Sequence, residues 1–176
     1  MTHFTGRARR LGDDVNTDYI ISSKRKKETL DEQMLKRYLL ESVDPGFAAS
    51  VHNGDIIVAG ANFGCGSAME VAVTVIQAAG IRAVIAKTFA RSFYRNAINN
   101  GLLPIECDTS RIQEGDAIAA RLVGDRVEVR SLTQGNTVFG TALPPIGLAI
   151  LECGGLVDAV RRFGSIRRLD AASHGA

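Results

Sequence analysis

Ser67 ends a glycine-rich stretch, Gly60-Ala61-Asn62-Phe63-Gly64-Cys65-Gly66-Ser67, in a chain of 176 residues. A serine where a flexible turn opens into a helix can serve in two ways. Its hydroxyl can cap the helix, here as a capping box with Glu70, or it can carry a proton in a reaction. The second use needs a group that takes the hydroxyl proton or stabilises the alkoxide, because a free serine is a weak base and nucleophile at neutral pH. No His or Asp lies nearby in sequence. The order Gly64-Cys65-Gly66-Ser67-Ala68 is not a GxSxG elbow, and glycines 60, 64 and 66 fit neither GxGxxG nor a Walker loop with its lysine. Spacing alone therefore supports an anion-binding turn, where unpaired backbone N–H groups meet the positive end of a helix. Cys65 stays open between a thiolate beside that helix and a packing residue. Arg91 and Arg95, four apart, stay open between pairing with acids, binding a carboxylate and simple solvation.

The elements that must hold this turn can be read around it. Residues 56–59 (IIVA) make a buried strand, and residues 68–79 carry an apolar stripe with Gly80 as C-cap. Residues 82–86 make a second strand, which gives a parallel βαβ crossover. A helix over 92–100 closed by Gly101 and a strand over 102–107 follow. Upstream, the spacing predicts a first strand over 1–12 whose Arg7, Arg9 and Arg10 form a solvated edge. A short strand at Tyr19-Ile20-Ile21 and a helix over 30–40 capped by Thr29 complete that part. The cationic run over 22–27 reads as a loop, either mobile over an acid site or plainly solvated. Downstream, turn signals at Gly115-Asp116, Gly124-Asp125 and Gln134-Gly135-Asn136 separate strands over 117–122, 126–131 and 138–142, a small β region. Helices over 146–151 and 156–163 follow, and from about residue 165 the tail reads as frayed. One α/β domain over residues 1–176 is expected.

Composition narrows the function classes. With 45% hydrophobic and 23% charged residues the chain is globular, and a net charge of +2 makes no case for nucleic acid. No apolar segment has the length of a membrane span, and the basic N-terminus lacks the apolar core of a signal peptide. Cys65, Cys107 and Cys153, like His3, His52 and His174, are too scattered for a disulfide framework or a metal knuckle. No metal held by this chain alone is expected, and a cytoplasmic location is.

Three blocks together resemble one family. They are GDDVNTDYII over residues 12–21, GDIIVAGANFGCGS over 54–67, and KTFARSFYRN over 87–96 with Asn99, Gly101 and Leu102. The chain is similar to the small subunit of 3-isopropylmalate dehydratase, in the aconitase superfamily, and the likeness runs on to Gly154-Gly155-Leu156. The resemblance implies a swivelling β/β/α domain, a mixed sheet with a βαβ crossover. It implies a large-subunit partner that holds a [4Fe-4S] cluster, and a shared site for a small hydroxy-dicarboxylate. Ser67 would abstract the proton alpha to a carboxylate, and Asp18 would lie beside it to orient the site. Asn62, Phe63, Gly64, Cys65, Gly66, Ala68 and Met69 would line the substrate. The expected acid is 3-isopropylmalate, isomerised to 2-isopropylmalate in leucine biosynthesis. Dimethylmalate, homocitrate or homoaconitate, and a non-catalytic acid-binding module, are the alternatives. Where the family pattern reads Ser-Ser-Arg-Glu, this chain has Ser67-Ala68-Met69-Glu70. The arginine that grips a substrate carboxylate is gone, and Lys24 or Arg25 is the candidate replacement.

Overall fold

The computed structural model describes residues 3–123, 126–141 and 143–173. The Gly124-Asp125 turn, the last residue of the expected 138–142 strand and His174 lie outside them. Seven strands form one sheet in the order β4-β3-β2-β1-β5-β6-β7. They are β1 (His3–Arg10), β2 (Ile56–Ala59), β3 (Ala83–Ala86), β4 (Leu103–Glu106), β5 (Ala117–Val123), β6 (Arg126–Ser131) and β7 (Thr137–Thr141). β1 pairs parallel with β2 and antiparallel with β5, so the sheet changes sense at β1. The expected small β region is therefore the antiparallel half of the same sheet.

Period-two alternation sorts the parallel strands between two cores. Ile57, Ala59, Val84 and Ala86 face one, built with the N-terminal helices; Ile56, Val58, Ala83 and Ile85 face the other, shared with Ile118, Ala120 and Val129 of the antiparallel half. Both strands read as continuous apolar runs because both of their faces are covered. The sheet curls until β7 reaches β4. There Gly140 packs so closely that an added Cβ would lie 2.3 Å from the Glu106 carbonyl oxygen, which only glycine permits.

β1 is an interior strand rather than the expected edge; Arg7 and Arg10 are exposed as expected, and Arg9 is the correction. Arg9 is buried, and its guanidinium reaches the Ser50 carbonyl at 2.8 Å, Glu114 at 3.0 Å and Asp55 at 3.4 Å. Arg10 donates to the carbonyls of Thr109 and Ile112. The acceptors come from 41 to 105 residues away, so no local pattern announces them. Asp55, itself buried, also accepts from the His52 amide and lies near Arg7. Asp55→Asn is expected to lower the unfolding free energy by about 2 kcal/mol, since it leaves Arg9 with one carboxylate instead of two. A urea midpoint equal to that of the parent would show that Glu114 alone neutralises Arg9.

The helices are α1 (Thr17–Ile20), α2 (Ser23–Glu28), α3 (Glu32–Leu35), α4 (Phe47–Ser50), α5 (Val71–Ala78), α6 (Arg91–Asn99), α7 (Pro145–Glu152), α8 (Leu156–Phe163) and α9 (Ile166–Ser173). Five expectations are corrected here. Tyr19 and Ile20 belong to a helical turn, not a strand, with Ile21 its extended C-cap, because the Asn16 side chain caps the Asp18 amide while Ile20 and Ile21 are both buried. The cationic run is helix α2, capped by Ser22. The expected 30–40 helix is only α3, capped by Asp31 rather than Thr29. A 3-10 turn over Lys36–Tyr38 follows it, and Leu40 has a φ of 57° that ends any helix. α5 starts at Val71, later than expected. The tail forms α9, whose Leu169 is buried against Ile150 and Ala159. No helix of the described residues is long and apolar enough to cross a membrane.

Candidate active site

The three sequence blocks meet at one end of the parallel strands as a ladder. Residues 12–18 run beside 60–67: the Gly60 amide donates to Gly12, Asp14 to Ala61, Gly64 to Val15 and Thr17 to Cys65, at 2.8 to 3.0 Å. Side chains fasten the same seam. Asp13 accepts from the Ala61 amide at 2.7 Å, the Asn62 side chain donates to Asp14 at 2.7 Å, and Thr17 Oγ1 donates to the Ser67 carbonyl at 2.9 Å. On the other side, Phe63 donates to the Thr88 carbonyl and accepts from Ala90, while Thr88 Oγ1 takes the Asn62 amide.

The backing of the turn is aromatic. Phe63 is buried, edge-on to Phe89 at 6.0 Å and to Phe93 at 5.0 Å between centroids. Its expected place on the substrate is corrected: the side chain points into the core because alternation along this short ladder sends Phe63 inward. Gly64, at φ 76°, lies against Phe93, where an added Cβ would be 2.2 Å from the ring. Gly64 too is a packing position. The Asn62 side chain is spent on Asp14, and Cys65 contributes its carbonyl to Thr17. Gly66 turns the chain beside Asn16 and delivers Ser67 to the surface.

Ser67 is exposed and does not cap a helix. Thr17 holds its carbonyl, the chain stays non-helical for three more residues, and α5 begins only after Glu70. The capping box is thus absent, and the Ser67 hydroxyl is left without a protein partner among the described residues. The backbone amides of residues 66–70 likewise meet no acceptor among them. One open hydroxyl therefore shares a turn with five unpaired N–H donors, a chemical environment suited to a carboxylate or an alkoxide. Residues 10–110, which span all three blocks of the ladder, match the model of the aconitase C-terminal domain.

The chain belongs to the aconitase C-terminal domain family. It is 44% identical over 160 residues to the 3-isopropylmalate dehydratase small subunit of Heliobacterium modesticaldum, covering 90% of this chain and 95% of that one. It is 43% identical over 157 residues to the methanogen homoaconitase small subunit of Methanocaldococcus jannaschii, covering 89% and 91%. A crystal structure of a 3-isopropylmalate dehydratase from Methanocaldococcus jannaschii superposes with a TM-score of 0.86 at 40% identity, covering 98% of this chain and 99% of that one. The fold is thus the swivelling domain of the aconitase C-terminal family, and the chain is a small subunit of its dehydratase and isomerase class, the hydro-lyases. The small-subunit names imply a large-subunit partner.

Asp18 and the cations of α2 pack beside the turn that carries Met69. Asp18 is half-buried and accepts from Ser23 Oγ at 2.8 Å, which ties α1 to α2. Arg25 is engaged elsewhere. It makes two bonds to Glu41 at 2.9 and 3.0 Å and one to Glu28 at 3.1 Å, and it stacks over Tyr38 at 3.8 Å. Its expected contact with substrate is corrected on that ground. Lys24 is exposed and adds to the field that keeps Glu41 ionised. The cation that does reach Met69 is Lys26, whose Nζ contacts Sδ. Sequence reasoning did not single out this contact, because residues 22–27 were read as a loop and not as α2.

Hydrogen bonding from Arg25 holds the Glu41 carboxyl below the usual glutamate range. A depressed folded value means this clamp stabilises fully above the ordinary glutamate value and is lost as the pH falls through the folded one. The protection factor of the α2 amides, exchange corrected for its intrinsic pH dependence, is expected to fall in acid below that range, and Glu41→Gln is expected to make the protection factor independent of pH there. An α2 protection factor that does not change with pH in the parent would refute the clamp. Burial pushes the Cys107 thiol up to about 12, so it is inert at neutral pH. Arg91 and Arg95 form no ion pair among the described residues and line an open cleft of about 450 Å³ with Phe89, Tyr94 and Glu106. Among the described residues no group of three or more His, Cys, Asp or Glu is placed to hold a metal ion, so those residues offer no donor set for an iron–sulfur cluster.

Proposed function

We propose that this chain is the proton-abstracting small subunit of a hydro-lyase that dehydrates and rehydrates a malate-type hydroxy acid, with 3-isopropylmalate the first candidate. The observation that carries the reading is the unengaged Ser67 hydroxyl beside the unpaired amides of residues 66–70. The chain places this turn at its surface, where a large subunit would close over it. A [4Fe-4S] cluster held by that partner would supply Lewis-acid chemistry to the substrate hydroxyl.

Ser67 removes the proton alpha to a carboxylate; the electron pair of that C–H bond becomes the new C=C bond as the neighbouring hydroxyl leaves. Re-addition of water at the other carbon reverses the roles, and Ser67 returns the proton. The neighbouring amides stabilise the serine oxygen when it carries charge, a stabilisation that grows once the partner excludes water. Thr17 and Asn16 hold the turn so that the hydroxyl stays out of any cap. The relatives' names include homoaconitase and isopropylmalate/citramalate isomerase small subunits, so the group beside the reacting carbons is the open variable.

The test is anaerobic co-purification with the large subunit, followed by assay of 3-isopropylmalate, citramalate, dimethylmalate and homocitrate. Turnover of one of them at a kcat of about 1 per second or more, within the ordinary enzyme range, is the expected result. A cluster-loaded complex inert to all four would refute the reading.

A further inference from the structure

We propose that the cleft lined by Arg91 and Arg95 is where a carboxylate-bearing segment of the large subunit docks. As a docking surface it rests on the reading of the Ser67 turn as a site that a large subunit completes, and it deepens that reading. Arg91 opens α6 and Arg95 stands one turn on, so the two side chains leave the same face of the helix, about 5–6 Å apart at Cβ. Their cleft, about 450 Å³, is completed by Phe89, Tyr94, Glu106, Thr141 and Pro144. Its floor is fixed. The Phe89 ring stacks on Phe93 at 6.1 Å and lies 5.8 Å from Tyr94 between centroids, and the Phe89 amide donates to Glu106 Oε1 at 3.2 Å. The cleft also borders the reacting turn. The segment that leads into Arg91 is bonded to it: the Phe63 amide donates to the Thr88 carbonyl, and the Ala90 amide donates to the Phe63 carbonyl. A partner that closes over Ser67 therefore meets the two arginines at that edge.

The chemistry of the lining selects the occupant. Arg91 and Arg95 are both exposed, and their guanidinium groups make no ion pair or hydrogen bond among the described residues. Glu106, the acid of the lining, already accepts from Phe89. Tyr94 adds a neutral donor: burial, and after it the charge of Glu106, hold its hydroxyl above the ordinary tyrosine range. Two planar forks pair bidentately with carboxylates. Arginine and tyrosine beside an apolar wall are also the side chains that anchor protein interfaces. A small acid would stay largely exposed in so open a cleft, whereas ligand sites bury most of their ligand. A second copy of this chain would set arginine against arginine. The occupant that meets these conditions is an acidic stretch of a larger surface, Asp or Glu side chains of the large subunit.

The measurement is the Kd of the small subunit for the cluster-loaded large subunit, taken anaerobically across a salt series. Arg91→Gln combined with Arg95→Gln is expected to raise Kd about 10- to 100-fold, the usual effect of removing interfacial arginine anchors, and to flatten its salt dependence. With the large subunit in saturating excess, turnover should return to the parent value, which a catalytic role would not allow. Arg82→Gln removes an exposed cation just ahead of β3, at the end of that strand away from the Ser67 turn, and should leave Kd unchanged. A second readout needs no variant: phenylglyoxal labelling of Arg91 and Arg95, followed by mass spectrometry, should be blocked by the large subunit and not by a diacid alone. A parent Kd and salt slope in the double variant, an equal shift in Arg82→Gln, or protection of the isolated small subunit by the diacid would each overturn the assignment. Ser67→Ala separates the two levels, since it should assemble with the parent Kd and turn over slowly. If it does so while the double variant binds normally, only the cleft assignment fails; if Ser67→Ala turns over at the parent rate, the underlying reading fails.

Discussion

Ser67→Ala is expected to lower kcat by about 10²- to 10⁴-fold, the usual contribution of a positioned proton-transfer group, while the melting temperature stays at that of the parent. The two halves of this result come from separate parts of one residue. The hydroxyl is exposed and meets no protein group among the described residues, whereas the carbonyl, which alanine keeps, receives Thr17 Oγ1 at 2.9 Å. Had Ser67 been a cap, its loss would instead have cost about 1 kcal/mol of stability. Rates in the reconstituted complex and a thermal melt of the small subunit distinguish these outcomes. A drop in melting temperature with turnover intact would return Ser67 to a purely structural role.

The opposite dissociation is expected three residues before the glycine–serine pair. Phe63→Ala should destabilise the chain by about 3–5 kcal/mol, the range for emptying a buried aromatic site. Phe63 is fully buried between Phe89 and Phe93, and no neighbour is free to fill the space without breaking the ladder through Thr88 and Ala90. In whatever fraction remains folded, kcat should fall far less than in Ser67→Ala, since the ring does not face the turn's open side. Denaturant melts of the two variants therefore give opposite rankings to the activity assay. A Phe63→Ala protein as stable as the parent would mean that the aromatic cluster repacks.

The parallel half of the fold was legible because its signals are local. Strands of four apolar residues buried on both faces, and glycines at helix ends, mark β2, β3 and α6 within a residue or two. The errors lie where distant residues override local preference. Ser67 carries the signature of a cap, but Thr17, fifty residues away, holds its carbonyl and delays the helix to Val71. Tyr19-Ile20-Ile21 looks like a strand until Asn16 caps its first turn. Arg9 looks solvated until Asp55 and Glu114 arrive. At the site, sequence pointed to the cationic stretch beside Met69 but chose Lys24 and Arg25, and the choice depended on which way Arg25 was drawn by Glu41 and Tyr38. A wheel drawn for α2 sets Lys26 about 100° from Arg25; nothing local could have supplied Glu41.

The ladder around Ser67 also sets when the site can exist. Its fastenings join residues 48, 50 and 26 apart, so each is made by closing a long loop, a step whose entropy must be offset by strands already docked. The parallel sheet closes the same loops: β1 pairs with β2 at Ala8 and Ile56, and β2 with β3 at Ile56 and Ala83. The site and the parallel sheet therefore share one loop-closure cost, and a chain that has docked β1 on β2 and β2 on β3 has already brought the three parts of the seam together.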